Sequence, residues 1–68
     1  MKGQSVKVKI AVLEKARLES GLSVNKLSQI SGVHRNTYAR IKKVKRAEIE
    51  TIYRLCEALN ISIGNVIL

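Results

Sequence analysis

Residues Ser23 to Lys43 read SVNKLSQISGVHRNTYARIKK, and this stretch decides how the rest of the 68-residue chain is arranged. It holds two short helical patterns with a turn between them. Leu27 and Ile30 mark the inner face of the first, and Tyr38 and Ile41 that of the second, at the spacing that places two side chains on one side of a helix. Ser31, Gly32 and Val33 lie between, and Gly32 can adopt the positive φ that a tight reversal requires. The second pattern presents His34, Arg35, Asn36, Thr37 and Arg40, and no acid follows until Glu48. Such a surface suits phosphates and base edges.

On the amino-terminal side, Ser23 is expected to cap the first of these helices. Lys26 stands at its third position, where a cation opposes the helix dipole but would suit an exposed helix start facing a phosphate. Before it, Gly21 reads as a left-handed helix end and Ile10 to Ser20 as a first helix rich in good helix formers. Ser5 to Ile10 is ambiguous. Its alternation of apolar and basic residues fits a half-buried strand, yet Val6, Ile10, Leu13, Arg17 and Ser20 share one helical face. A strand at Val6 to Val8 would have an edge open to the same strand of a second copy. Residues 1–5 are expected to be disordered.

On the carboxyl-terminal side, Lys42, Lys43, Lys45 and Arg46 form a basic run, either a solvated link or a clamp on flanking phosphates. Ile49, Ile52, Cys56 and Leu59, with Leu55 beside them, predict a helix from about Glu48 to Leu59 that starts with acids and ends at Asn60, a residue suited to a left-handed cap. Ser62 then caps a last turn or two, in which Ile63, Val66 and Ile67 close the core.

Composition narrows the function. Thirteen Lys and Arg against five Glu give a formal charge of +8 and a pI near 10.2, which favours a polyanionic partner. A single Cys excludes an internal disulfide and no Cys/His cluster offers a metal site, so neither cofactor nor metal is expected. Cys56 reads as a small buried hydrophobe. One His, one Cys and no Asp make an enzyme a poor reading, because Glu48 and Glu50 fall on different helical faces. The near absence of aromatics argues against RNA bases stacked on the surface. No run approaches the ~20 apolar residues of a membrane span, and the expected location is the cytoplasm.

Leu22-Ser23, Leu27-Ser28, Gly32-Val33, Arg35-Asn36-Thr37-Tyr38 and Arg40-Ile41 occur in the order of the run LSQxxLAxxxGVSRxTISRIExG. The chain thus resembles the lambda-repressor-like (Cro-type, Xre) helix-turn-helix family, and the similarity continues through Ile49 to Ser62, with Leu55-Cys56-Glu57-Ala58-Leu59 on the fourth helix. The resemblance implies an all-α, five-helix domain over residues 1–68, a short amino-terminal strand remaining open. It implies a non-catalytic regulator that binds double-stranded DNA as a homodimer. Arg35, Asn36 and Arg40 would read bases. Ser23, Asn25, Lys26, His34, Thr37, Lys42, Lys43, Lys45 and Arg46 would hold phosphates.

The resemblance also implies that Arg17 pairs with an acid of the fourth helix, Glu50 or Glu57. Val24 departs from a family Gln that binds phosphate, which Asn25 or the Ser23 region would replace. Ser28 departs from the usual Ala, and its hydroxyl can bond the Val24 carbonyl. His34 stands where Ser commonly caps the recognition helix, and a neutral imidazole can accept the same amide. Tyr38 would pack in the core with its hydroxyl at the edge. The alternative function is a protein-interaction module, such as an antirepressor or antitoxin, with the apolar end Ile63 to Leu68 as its partner surface.

Overall fold

The computed structural model describes residues 4–68. Strand β1 (Ser5–Lys7) leads into helix α1 (Ile10–Glu19), and α2 (Val24–Ser31) and α3 (Arg35–Val44) form the helix-turn-helix. Strand β2 (Arg46–Glu48) and helix α4 (Ile49–Leu59) follow, and a 3-10 turn at Ile63–Asn65 ends the regular structure. Of the residues expected to be disordered, 1–3 lie outside the described residues. Ser5 is ordered in β1.

The turns form where backbone chemistry allows. Gly21 and Gly32 adopt φ of 70° and 75°, and Asn60 ends α4 at φ 59°. Ser23 accepts the Lys26 amide at 3.0 Å, the bond expected of an N-cap. Lys45 takes the left-handed region at φ 61° with no glycine to ease it. That conformation turns the chain from α3 into β2, while the Lys45 amide closes α3 on the Ile41 carbonyl.

The ambiguity at Ser5 to Ile10 resolves into both forms, a strand and then a helix. β1 pairs antiparallel with β2, Val6 opposite Ala47 and Lys7 opposite Arg46. Its other edge is joined near Val8 by the chain end: Lys9 N–H donates to the Val66 carbonyl at 2.7 Å, and Leu68 N–H to that of Lys7 at 3.3 Å. The edge expected to stay open for a second copy is therefore occupied within the chain at residues 7–9.

One aliphatic core joins Leu13 of α1, Leu27 of α2, Tyr38 and Ile41 of α3, and Ile52, Leu55, Cys56 and Leu59 of α4, with Val8 and Val66 closing the strand side. No polar side chain among the described residues is buried. Two residues expected on inner faces are not there: Ile30 and Ile49 are 50% and 46% exposed. Each lies at an end of its helix, Ile30 next to last in α2 and Ile49 first in α4.

The five-helix expectation is corrected to four α-helices and a 3-10 turn among the described residues. The segment after Asn60 carries Ile61, Ile63 and Val66 among Gly64 and Asn65, and β-branched residues with Gly and Asn are poor material for another α-helix. Val66 is buried all the same, and Ile63 and Ile67 are half-buried. The surface expected at Ile63 to Leu68 thus shrinks to Leu68, 72% exposed.

Candidate nucleic-acid interface

Residues step by ~100° around an α-helix, so Asn36, Ala39, Arg40 and Lys43 share the side of α3 opposite Tyr38 and Ile41. All four are exposed, and Tyr38 and Ile41 are buried. The small Ala39 keeps this face low between its polar neighbours. Between Glu19 and Glu48 the chain holds seven Lys and Arg and no acid, so the field over this surface has one sign.

Arg35, at the first position of α3, donates to the Asn25 side chain of α2 at 3.3 Å. A residue expected to read bases and one expected to bind phosphate are thereby joined across the turn. Ser23 and Lys26 lie on the same exposed start of α2. His34 caps α3: its Nδ1 accepts the Asn36 amide at 3.0 Å, as expected. The neutral ring then carries its hydrogen on Nε2, a donor available outside the helix.

Thr37 is half-buried and faces a cleft of about 340 Å³ with Arg40, Arg46, Thr51 and Ser5. Arg46 is on β2 rather than in a loose link, and Lys42 and Lys43 belong to the last turn of α3. Lys42 leans away from the outer stripe, 3.7 Å from Glu14. The cationic run therefore fans out in three directions, and only part of it shares a face with Asn36.

Glu14 was not singled out by the sequence, yet it ties α1 to α3. Arg17 donates Nη2 to it at 2.9 Å and Nε at 3.3 Å, and the Tyr38 hydroxyl donates to it as well. Arg17 also reaches the Leu22 carbonyl at 2.8 Å and so holds the turn into α2. The bonds from Arg17 outweigh the cost of burial, and with the Tyr38 bond and the charges of Arg17 and Lys42 bring the Glu14 carboxyl down to about 2. Burial, and then the neighbouring Glu14 carboxylate, push the Tyr38 phenol up.

The partner expected for Arg17 on α4 is thus corrected to Glu14, three residues back on its own helix. Glu50 pairs with Arg54 at 3.2 Å and Glu57 accepts the Tyr53 hydroxyl at 3.0 Å. Ser28 is half-buried, but the bond expected from it to the Val24 carbonyl is not among those of the described residues. Tyr38 is placed as expected, ring in the core and hydroxyl at the edge. Cys56 is buried, and burial pushes its thiol up, away from the reactive thiolate.

Two short helices joined at a left-handed glycine, the second bearing an exposed cationic face, define a helix-turn-helix protein. The family model described as Helix-turn-helix matches residues 13–65, and the chain belongs to that family, in its lambda-repressor/Xre-like branch. No curated protein matches the sequence. The family is one of DNA-binding regulators, typically without enzymatic activity. Among the described residues, no helix is long and apolar enough to cross a membrane.

Proposed function

We propose that the protein is a sequence-specific regulator of transcription, a repressor that occupies its operator as a two-fold dimer. Residues 1–68 act as one DNA-binding unit. α3 enters the major groove, where Arg35 forks onto guanine O6 and N7 and Asn36 pairs with adenine N6 and N7. Arg40, one turn on, reads the neighbouring base pair. Ser23, Asn25, Lys26, His34, Thr37, Lys43, Lys45 and Arg46 hold the flanking phosphates, and Lys42 contributes once DNA draws it from Glu14.

The observation that carries this reading is the outer stripe of α3, exposed and acid-free, with Arg35 already braced by Asn25. The dimer is supported by size. One chain has a single α3 and a longest dimension of 33 Å, so two successive grooves about 34 Å apart require two copies.

Selection of bound duplexes from a random pool tests the proposal, and a palindromic consensus is the expected result. Arg35→Ala should cost ~1–3 kcal/mol on that site and relax one base position, whereas Lys43→Ala should weaken all sequences alike. Recovery of no consensus, or equal behaviour of the two variants, would remove the groove assignment. Retention of the protein by a protein partner but not by duplex DNA would favour the interaction module instead.

A further inference from the structure

The cleft beside α3 is built from parts of the chain that are far apart in sequence, and two of them have so far had no role. Ser5 of β1 and Thr51 of α4 line it together with Thr37, Arg40 and Arg46. Arg46 does not swing freely there: its Nη2 donates to the Ser5 carbonyl at 3.0 Å and its Nε to the Ser5 hydroxyl at 3.3 Å. No ion pair neutralises either Arg40 or Arg46 among the described residues. The third position of α4 is Thr51, and that helix starts at Glu48 without a side-chain cap bond to its first-turn amides. Glu48, the one acid on the rim, opposes an anion.

We infer that this cleft is a seat for a single phosphodiester of the DNA backbone, with Arg46 and the Thr51 hydroxyl as its principal donors and Ser5 as the residue that positions Arg46. The inference rests on the proposed DNA binding and extends the interface to the β1–β2 ribbon, so that the amino-terminal strand serves recognition as well as folding. With Nε and one Nη2 hydrogen of Arg46 held by Ser5, its Nη1 group and second Nη2 hydrogen remain, and these with the Thr51 hydroxyl match the several acceptor oxygens of a phosphate; a braced Arg loses less freedom on binding than a free one. Arg40 lines the side next to the outer stripe of α3 and adds to the positive potential. The shared chemistry with free phosphate is distinguished by experiment.

Binding to a random-sequence duplex, measured over a range of salt, is the test. Arg46→Gln should reduce the slope of log Kobs against log salt by about 0.9, the share of a single neutralised phosphate. Thr51→Val should weaken binding about tenfold for every sequence, a loss typical of a hydrogen bond to a charged group, and Thr51→Ser should restore it. Ser5→Ala should weaken binding in the same sequence-independent way, and Glu48→Gln should strengthen it, which a purely structural role for these residues would not produce. Melting curves of each variant confirm that it is folded.

The inference is overturned if Arg46→Gln and Thr51→Val leave affinity and slope unchanged while Lys43→Ala weakens binding. It is overturned too if inorganic phosphate perturbs the Ser5 and Thr51 amide resonances while the duplex does not. A wild-type protein that fails to bind any duplex removes the DNA reading itself, a result distinct from either of these.

Discussion

The Glu14 carboxylate accepts bonds from Arg17 and Tyr38 and has Lys42 at 3.7 Å, so its ionised form is favoured in the folded chain over the unfolded one. Its carboxyl falls from an ordinary 4.5 to about 2. A depressed acid contributes stability that is fully present above the unfolded value and is lost as pH falls through the folded one. Stability should therefore decline between about pH 5 and pH 2, by on the order of 3 kcal/mol from this residue. Denaturant unfolding across that range checks it, and Glu14→Gln should flatten the decline while lowering stability at pH 7. An unchanged acid limb in the variant would show that the coupling between α1 and α3 is weak. Tyr38 acts at the other end of the scale. Its raised phenol gives stability below 10.0 that is lost as pH rises further.

At the scale of the elements, the two ends of α3 behave differently. His34 caps its start through a ring nitrogen, and His34→Ala should cost ~1 kcal/mol in denaturant unfolding, with His34→Ser nearly neutral because its hydroxyl can accept the same amide. Lys45 ends the helix at φ 61°, a region where a side chain costs roughly 1 kcal/mol or more. Lys45→Gly should raise the melting temperature yet weaken DNA binding by removing a cation beside the groove, so stability and affinity move in opposite directions. Caps and turns of this kind were legible in the sequence because they are local. Ser23, Gly32, His34 and Asn60 act on amides or dihedrals within a few residues of themselves.

The illegible parts depend on distant residues. The pairing of Val6 with Ala47 joins strands some forty positions apart, and no alternation in either segment names its partner. The resemblance gave Arg17 an acid of α4, but Glu14 on its own helix takes the bond, and the Tyr38 hydroxyl from the distant α3 donates to the same carboxylate. Ile30 and Ile49 follow apolar periodicity but sit at helix ends and stay exposed, which only the packed structure decides. Of the candidate site, the stripe Asn36–Arg40–Lys43 was readable from helical period, while the cleft shared by Ser5 and Thr51 was not.

For the whole molecule, the net charge of +8 acts on folding and on binding with opposite signs. Seven of its cations are concentrated between Glu19 and Glu48, and few of them have an acid within reach: Lys42 has Glu14, and the remaining cations of that stretch have no ion pair among the described residues. Folding crowds them around α3 and its two flanks, and their mutual repulsion weakens the compact state. Salt shortens the range of that repulsion, from about 30 Å at 0.01 M to about 8 Å at 0.15 M. The free protein should therefore melt higher as salt is raised over this interval. Duplex DNA stabilises the fold by binding it, and this part must shrink with salt, because every phosphate the protein neutralises makes log affinity fall more steeply with log salt, by about 0.9. Melting curves with and without duplex should converge as salt rises, the free curve climbing and the bound one falling. A free melting temperature that drops with salt would mean that Glu14 and its partners outweigh the repulsion on the α3 surface, and that this surface is far less charged in effect than the sequence implies.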